Sequence, residues 1–452
     1  MLGDKSRREK PNVIIIFTDD QGYQDLGCFG SPDIKTPNID RLAEEGIKLT
    51  DFYVTASVCT PSRASLLTGR YSTRTGLIDV ILPDNTGMRS SEITIAEMLK
   101  QGGYKTACFG KWHLGDKEPG LPTNQGFDIY FGIPYSNGMG LGESHKFSDT
   151  AFFQPGYTLE KVKAYQEGRF DEIDEELFEG KDSLFEGDKV VEFPCELSTL
   201  TKRYFDRSIK FINESKNNPF FLYLTPAMPH VPLAASEQFL GKSKGGLYGD
   251  TIEEIDWNVG RLIKHLKDNG LLENTMVIFT SDNGPWLRYG EHGGRAEPLR
   301  EGKSSVYEGG VRVPCVMYWK GKWDTGKISN TPLSTIDLLP TIAHYAGVPL
   351  PRVPVDGVNI AAHLENTEVD VERKYILFNS EGHDICGIRM GDWKYLPYGG
   401  FPDREDDNTP ELFNLKEDIS ETKNLYSQHP EIVKKLTAEI ENYKKQVNID
   451  ND

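Results

Sequence analysis

The chain has 452 residues, of which 37% are hydrophobic and 11% aromatic, so it is long enough to bury a large core. Its net charge of −18 argues against nucleic acid and anionic membranes as partners, because like charges repel. The sequence has no run of about eighteen apolar residues that would indicate a membrane span. An anionic ligand would therefore need a local basic pocket inside an acidic surface.

The cysteines and the N-terminus show no pattern of disulfide stapling or targeting. Met1–Pro11 is charged and lacks the apolar centre of a signal peptide. No C-x-x-C pair occurs, and wide spacing favours buried free thiols over disulfides. The six cysteines are Cys28, Cys59, Cys108, Cys195, Cys315 and Cys386.

The first predicted strand, Asn12–Thr18, is a continuous apolar run, which is typical of a strand buried on both faces. It ends in two adjacent carboxylates, Asp19 and Asp20. Leaving them uncompensated beside a buried strand would be costly, so we expect a counter-charge or an ion there. A solvated turn is the alternative interpretation.

The stretch CTPSRASLLTGR, which begins at Cys59, is predicted to be a loop running into a helix. Thr60 is a suitable N-cap, Pro61 suits the first helical position, and Gly69 can end the helix. Cys59 would then precede a helix N-terminus, where free N–H groups and the helix dipole favour an anion. Arg63, one turn further on, could reach back to the same point.

Helices and strands are then predicted to alternate along the chain, with a Gly-rich pocket loop and an acidic surface insertion between them. The loop covers Gln125–Pro155 and the insertion covers Gln166–Pro194. The other predicted elements are helix Thr36–Gly46, strand Lys48–Val54, helix Thr94–Gly102 with a capping box, strand Tyr104–Phe109, helix Leu197–Asn213, strand Phe220–Leu224, helix Thr251–Asn269, strand Thr275–Thr280, strand Cys315–Trp319 and helix Thr335–Ala346.

Three of these strands are followed by residues that can carry chemistry. Lys111 and His113 follow the strand that ends at residue 109, and His230 follows the strand that ends at residue 224. Asp282 and Asn283 follow the strand that ends at residue 280. A lone histidine or lysine is usually a core or surface residue. Only the joint occurrence of these residues after neighbouring strands indicates a functional site.

The alternation predicts an α/β fold with a large, mostly parallel sheet sandwiched by helices, and ligands in such sheets bind beyond the carboxyl ends of the strands. We expect a catalytic domain over residues 1–370, with the Pro-rich connector Val348–Pro354 near its end. Shorter strands from about Tyr375 and a final helix, Pro430–Val447, predict a small C-terminal α+β domain over residues 371–452. This domain, an antiparallel sheet plus a helix, would pack against the first and add rim contacts.

The predicted sheet edge collects oxygen ligands, namely Asp19, Asp20, Asp282 and Asn283. Such ligands without His or Cys select Ca²⁺ or Mg²⁺ over zinc, and Ca²⁺ better tolerates the irregular geometry of two strand ends. Calcium is therefore expected, with Mg²⁺ as the less favoured ion. Cations from Arg63, Lys111 and Lys303 would make the pocket positive enough for an anionic ester.

The run from Cys59 to Arg70 resembles the signature of the type I sulfatases, in the alkaline-phosphatase superfamily. The resemblance covers about the first three hundred residues in the family's order. It also includes Asp19-Asp20, Lys111-Trp112-His113, His230, Asp282-Asn283-Gly284 and Lys303.

This resemblance implies Ca²⁺ and a formylglycine made by oxidation of Cys59, whose hydrated aldehyde is the nucleophile. The metal and a guanidinium would hold the nucleophile. By the same resemblance, His230 and Lys303 contact the sulfate and assist the leaving group. His113, with Lys111 nearby, would take the proton from the second hydroxyl so that sulfate is released.

The implied activity is hydrolysis of sulfate esters on a sulfated carbohydrate, a polysaccharide or a glycosaminoglycan fragment. His145, His292 and Arg295 are candidates for sugar contacts, with a solvent-facing loop as the alternative. The implied partner is a formylglycine-generating maturation enzyme. The family is usually exported, so a periplasmic or secreted location is expected and this chain would be a processed form; the oligomeric state stays open.

Two other functions fit the same residues. One is a phosphonate or phosphate ester hydrolase of the same superfamily. It would differ from a sulfatase in turning over phosphate or phosphonate esters in preference to sulfate esters. The other is a non-catalytic protein that binds sulfated glycans, which would be favoured if Cys59 stayed a thiol while ligand still bound tightly.

Overall fold

The computed structural model describes residues 10–404 and 409–451, so the expectation for the charged N-terminus falls mostly outside the described residues. The strands are β1 (Asn12–Thr18), β2 (Ile47–Leu49), β3 (Phe52–Tyr53), β4 (Lys105–Gly110), β5 (Ile129–Gly132), β6 (Phe147–Phe153), β7 (Leu184–Glu186), β8 (Lys189–Phe193), β9 (Phe220–Thr225), β10 (Thr275–Ser281), β11 (Cys315–Tyr318), β12 (Lys327–Ser329), β13 (Leu333–Ser334), β14 (Ile376–Asn379), β15 (Ile385–Met390), β16 (Trp393–Leu396) and β17 (Glu411–Asn414). The helices are α1 (Pro37–Glu45), α2 (Cys59–Thr68), α3 (Ser72–Thr75), α4 (Ile95–Gln101), α5 (Leu159–Gln166), α6 (Leu197–Ser215), α7 (Gly246–Asp268), α8 (Glu308–Val311), α9 (Leu338–Ala346), α10 (Ala361–Glu365) and α11 (Pro430–Asn451).

Within the described residues, an eleven-stranded sheet runs in the order β12-β2-β11-β10-β1-β9-β4-β5-β7-β8-β6. Its centre, from β10 to β5, is parallel, while β11 and β7 join it antiparallel. The predicted α/β class with a mostly parallel sheet is therefore confirmed. β11 pairs antiparallel with β10, to which it is joined by residues 282–314, a segment that includes the short helix α8.

Strand β1 lies near the middle of the sheet because both of its faces are apolar. Val13, Ile15 and Phe17 pack into one core, and Ile14 and Ile16 pack into the other. Helices α2, α4 and α9 cover the first face, and α1, α6 and α7 cover the second. Burying each such side chain contributes about 1.5–3 kcal/mol, so this strand is firmly anchored.

The register of the parallel strands fixes where the site forms. Thr18 at the end of β1 lies opposite Ser281 at the end of β10, and Gly110 of β4 lies opposite Thr225 of β9. The chain therefore leaves four neighbouring strands at the same edge of the sheet. Residues that follow these strands are brought together although they are far apart in sequence.

The capping prediction for the helix after Cys59 is wrong in detail. Helix α2 begins at Cys59 itself, with Val58 in the N-cap position, and Thr60 lies inside the first turn. The Thr60 hydroxyl donates instead to the carbonyl of His113 at 3.1 Å, a tertiary contact that local propensity does not reveal. The predicted end is confirmed, since Gly69 adopts a left-handed conformation at the C-cap.

Two segments predicted as loop or insertion contribute strands. The stretch 125–155 contains β5 and β6, and the stretch 166–194 contains β7 and β8, which extend the main sheet. Short strands at a sheet edge carry weak periodicity, so the acidic composition of the second stretch concealed them. The segment 48–54 forms two short strands rather than one.

The described part of the C-terminal region forms a four-stranded sheet in the order β14-β15-β16-β17, antiparallel throughout and covered by α11. This matches the expected antiparallel sheet plus helix. The domain boundary near residue 370 remains a prediction. None of the helices described here is long and apolar enough to cross a bilayer.

A buried ionic network joins the small sheet to the large one. The ammonium group of Lys394, in β16, lies 2.8 Å from Glu308 and 3.0 Å from Glu421, and all three side chains are fully buried. Arg312 lies 3.2 Å from Glu308 and also pairs with Asp51 before β3. Removing one member would leave buried charges uncompensated.

We expect Lys394→Met to lower the free energy of unfolding by about 3–5 kcal/mol, because it leaves the buried Glu421 without a counter-charge and leaves Glu308 paired with Arg312 alone. Urea denaturation followed by fluorescence measures this loss. The matched control is Lys320→Met, which removes an exposed ammonium paired with Glu273 and should leave the urea midpoint unchanged. Equal loss in both variants would contradict the structural role of the network.

Candidate active site

Three parallel strands deliver charged side chains to one edge of the sheet. Asp19 and Asp20 follow β1, Lys111 follows β4, and Asp282 follows β10. Helix α2 begins at the same edge, and ligand atoms of Asp19, Cys59 and Asp282 lie within 4.8 Å of one another. The sequence-predicted acidic strand ends and the cysteine therefore meet.

The deepest contacts are ion pairs with no exposure to solvent. Lys111 Nζ lies 2.8 Å from both carboxylate oxygens of Asp19. Arg63 donates to Asp282 at 2.7 and 3.0 Å and lies 3.6 Å from Asp19. Burial raises the pKa of Asp282 although Arg63 opposes the shift, and both carboxylates raise the pKa of Arg63 against the effect of burial.

Asp20 is the contact point for a second group of residues. Lys303 Nζ lies 2.8 Å from its carboxylate, His230 Nε2 lies 3.7 Å away, and the amide of Asn283 donates to it at 2.7 Å. Burial acts to raise the pKa of Asp20, but the charge of Lys303 holds it below its usual range. Burial and the charge of Lys303 lower the pKa of His230 well below its ordinary value, so its imidazole is neutral.

The donor set suits a hard divalent cation. Asn283 is fully buried, and its side-chain oxygen has no hydrogen-bond partner among the described residues. Such an orphaned oxygen is costly unless a cation or a water meets it. Three carboxylates and three cations already balance each other, so a divalent ion would bring the cluster to a net charge of +2. This arrangement fits an oxygen-ligated ion such as Ca²⁺ and would favour an anionic substrate.

Cys59 is the first residue of α2 and is 2% exposed. Burial raises the pKa of its thiol, while Lys111 and Lys303 counteract the shift only in part. The side chain is therefore a neutral thiol, which is a poor nucleophile compared with a thiolate. The unmodified cysteine is not suited to attack an ester by itself.

His113 lies fully buried beside this cluster, in a left-handed conformation with φ of 60°. Its Nε2 is 3.0 Å from the carbonyl of Ile81 and its Nδ1 is 3.4 Å from the hydroxyl of Ser136. Burial, Lys111 and Arg63 lower the pKa of His113 well below its ordinary value. A neutral imidazole can accept a proton, so His113 is a candidate base.

Two glycines permit the close approach of backbone segments at this edge. A Cβ on Gly284, directly after Asn283, would lie 1.8 Å from the carbonyl oxygen of Gly309. Gly110, directly before Lys111, has φ of 119°, and a Cβ there would lie 1.9 Å from the carbonyl oxygen of Thr225. Any larger residue would displace Lys111 or the loop that carries Asp282 and Asn283.

A cavity of about 670 Å³ opens above these groups, within the usual size range of a small-molecule site. Its floor includes Cys59, His230 and Lys303, and the other described lining residues are mostly apolar. The rest of the lining is Val58, Val80, Ser136, Asn137, Gly138, Met139, Val231, Pro232, Leu233, Leu247, Trp286, Tyr289, His292, Ser304 and Glu381.

Trp286 supports the lysine at the floor of the cavity. Lys303 Nζ lies 4.2 Å from the centroid of its ring, and the guanidinium of Arg288 lies 4.2 Å from the same ring. Cation–π contacts of this kind contribute about 0.5–2 kcal/mol, which restricts the lysine rotamers. The backbone of the next residue, Ser304, is tied to Ser57 by a hydrogen bond of 3.0 Å.

The structure does not bring all three candidate sugar-contact residues into the cavity. His292 is among the lining residues. His145 is buried elsewhere, with Nε2 held 2.9 Å from Asp116, and its ring packs against Phe185. Arg295 lines a separate polar pocket and pairs with Asp33 at 2.8 Å. Neither His145 nor Arg295 lines the cavity above Cys59, and their role as sugar contacts stays a prediction.

Among the cavity residues that sequence reasoning did not single out, Trp286 and Glu381 matter most. Trp286 lies three residues after Asn283, so its proximity to the predicted motif was a usable signal. Glu381 comes from the C-terminal sheet, between β14 and β15, where no motif marked it. Only the docking of the two sheets places this carboxylate above the site.

Family models, curated relatives and solved structures of sulfatases all match this chain. The sulfatase family model matches residues 11–348, and the model of the N-sulphoglucosamine sulphohydrolase C-terminal region matches residues 301–446. Arylsulfatase A of Homo sapiens is 38% identical over 393 residues, covering 85% of this chain and 74% of that protein. The structure of Ps i-CgsB in complex with k-i-k-neocarrahexaose superimposes with a TM-score of 0.79 at 32% identity, covering 96% of this chain and 93% of that one. PsFucS1 sulfatase from Pseudoalteromonas sp. has a TM-score of 0.82 at 29% identity, with coverage of 97% and 91%.

Proposed function

This chain belongs to the sulfatase family of sulfate ester hydrolases, and we propose that it releases sulfate from sulfated carbohydrates with a formylglycine derived from Cys59. The observation that carries the proposal is the meeting of the α2 N-terminus with buried cations and carboxylates beneath one cavity. Support for a carbohydrate comes from the relative of known structure that was solved with a neocarrahexaose.

The burial of Cys59 supports the formylglycine nucleophile. Burial raises the pKa of the thiol, so a chain that kept it would lack an activated nucleophile. The hydrated aldehyde of formylglycine would supply one hydroxyl that attacks sulfur and a second whose deprotonation releases sulfate. The 2% exposure of Cys59 supports a maturation enzyme that acts before the chain folds.

The surrounding residues have distinct proposed roles. Lys303 stays protonated, because Asp20 raises its pKa against the effect of burial, and it would donate to sulfate oxygens. His230 lines the same floor and would orient the ester and assist the leaving group. His113, held neutral, would accept the proton from the nucleophile's second hydroxyl. The charge of the nearby Lys111 would keep His113 unprotonated until that step. Fixed charges of this kind stabilise developing negative charge without reorganisation.

We propose that Asp19, Asp20, Asp282 and Asn283 hold a Ca²⁺ ion, with Mg²⁺ less suited. When bound, the ion would polarise the sulfuryl group and stabilise charge on its oxygens. Arg63 would keep Asp282 oriented towards the ion through their paired contacts. The orphaned oxygen of Asn283 is the observation that supports this assignment.

We also propose a periplasmic or secreted location, which rests on the resemblance to a family that is usually exported. Cell fractionation of a native producer would test this location. Activity confined to the cytoplasm would contradict it.

A screen of sulfated oligosaccharides with product analysis tests the proposed function. The protein should be produced with a formylglycine-generating enzyme, and peptide mass should verify conversion at position 59. We expect release of inorganic sulfate from at least one sulfated sugar, with slower turnover of the matching phosphate ester. Preference for phosphate or phosphonate esters would favour the alternative hydrolase, and tight binding without turnover by converted protein would contradict an enzyme.

The pH dependence of kcat tests the role of His113. Because the pKa of His113 is lowered, its neutral form persists to more acidic pH than in an ordinary histidine. We expect the acid limb of the profile to lie below about pH 6.5, and His113→Gln to lower kcat by roughly 10²–10⁴-fold. The exposed His344→Gln is the control and should leave the profile unchanged. A His113→Gln variant with full activity would rule out this base.

A further inference from the structure

One carboxylate in the catalytic cavity has no partner in the described part of the protein. Glu381 is half-buried, lies in the loop between β14 and β15, and lines the same cavity as Cys59 and Lys303. No described residue donates a hydrogen bond to its carboxylate or forms an ion pair with it. The residue before it is fixed, since the Ser380 hydroxyl donates to the carbonyl of Ser304 at 3.1 Å. The backbone therefore holds Glu381 at the cavity, and its carboxylate makes no hydrogen bond or ion pair with a described residue.

The charges around the cavity are unsuited to a second anion on the substrate. Among the described lining residues, Lys303 and Glu381 alone carry a formal charge with histidines neutral, and Lys303 is already paired with Asp20. Further acids flank the same loop. A Cβ on Gly382 would lie 3.6 Å from an oxygen of Asp79, and His383 pairs with Asp403 at 2.7 Å. Three carboxylates, those of Glu381, Asp79 and Asp403, thus lie around the mouth of the cavity above the cationic floor. One guanidinium, that of Arg288 stacked on Trp286, lies near them, so the acids outnumber the cations there.

A sulfated sugar with several anionic groups would place one of them against these carboxylates. Repulsion between two like charges about 6 Å apart, in a medium of intermediate polarity, lowers the binding affinity about tenfold. Sugar hydroxyls, by contrast, are donors, and a carboxylate can accept two of them at once. The apolar walls formed by Val80, Met139 and Leu233 suit the C–H faces of a sugar ring.

We infer that the cavity selects a sugar unit that carries a single sulfate and no other charge, and that Glu381 sets this preference by accepting sugar hydroxyls and repelling a second anion. This inference rests on the proposed function. It narrows the substrates from sulfated carbohydrates in general to neutral, singly sulfated units at the cleavage position.

The test compares kcat/KM for two substrates that differ in one group. The first is the neutral, singly sulfated sugar found in the screen, and the second is the same sugar with one added sulfate or with a carboxylate in place of its hydroxymethyl group. We expect the wild type to prefer the first by at least about tenfold. Glu381→Gln should reduce that preference to less than about threefold, and Glu381→Lys should reverse it.

The matched control is Glu237→Gln, which removes an exposed carboxylate that does not line the cavity and should keep the wild-type preference. Unchanged melting temperatures would show that the variants are folded, as expected for a side chain without a structural partner. A Gln variant that keeps the full preference, or a wild type that prefers the doubly charged sugar, would overturn the inference while leaving the enzyme a sugar sulfatase. Converted wild-type enzyme that releases sulfate from no sugar would instead refute the proposed function.

Discussion

Replacing Cys59 with serine is expected to abolish sulfate release while the fold and the metal site stay intact. The change removes the thiol that is to be oxidised but keeps a side chain of similar size at the start of α2. Loss of a nucleophile typically lowers kcat by roughly 10⁴–10⁶-fold. Sulfate release by protein produced with the maturation enzyme measures the effect, and circular dichroism and calcium titration check the fold and the metal site.

Two further variants make this experiment decisive. Cys59→Ala has no group that can be oxidised and should be equally inactive. Cys28→Ser changes another free cysteine, which is only half-buried and does not line the cavity, and it should keep wild-type activity. Full activity of either Cys59 variant would refute the proposed nucleophile, because no other thiol lies against the acidic cluster in the described residues.

Removing the ion is the second change with a large expected effect. A site saturated at about one hundred times its Kd stabilises the folded state by about 2.7 kcal/mol, so chelation should lower the urea midpoint as well as activity. Re-addition of Ca²⁺ should restore both, and Mg²⁺ should do so less well, because Ca²⁺ accepts irregular oxygen geometry. Denaturation, activity and isothermal titration of the ion-free protein measure these effects.

Asn283→Ala tests the ligand assignment without changing the charge of the site. It removes the orphaned side-chain oxygen and should weaken calcium binding by roughly tenfold or more, which corresponds to about 1.4 kcal/mol. Asn330 is exposed, so Asn330→Ala serves as the matched control and should bind calcium as the wild type does. Calcium affinity that is equal in all three proteins would exclude Asn283 as a ligand.

The parts predicted best from sequence are those with local physical causes. β1 and β10 were identifiable because an apolar run with acidic residues directly after it indicates a buried strand at a polar edge. The capping box of Thr94 with Glu97 is present as predicted. The six cysteines, all within described residues, are free thiols, as their spacing suggested.

The errors arise where distant segments decide the outcome. Thr60 is a good N-cap by propensity, but its hydroxyl bonds to the carbonyl of His113 instead. Folding places His145 against Asp116 and not at the cavity, so its role as a sugar contact stays a prediction. Strands β7 and β8 were concealed in an acidic stretch because the ladder that stabilises them comes from β5.

The sequence by itself determined which chemical groups the site contains. Strand ends, a helix start and the order of the acidic and basic residues can all be recognised from short stretches of sequence. It also determined the class of fold, since alternating helices and strands leave few ways to bury their apolar faces. Only the tertiary structure decided which residues line the cavity above the charged cluster. The carboxylate of Glu381 and the ring of Trp286 reach the cavity through the packing of two sheets and the path of one loop, and such long-range contacts have no local signature.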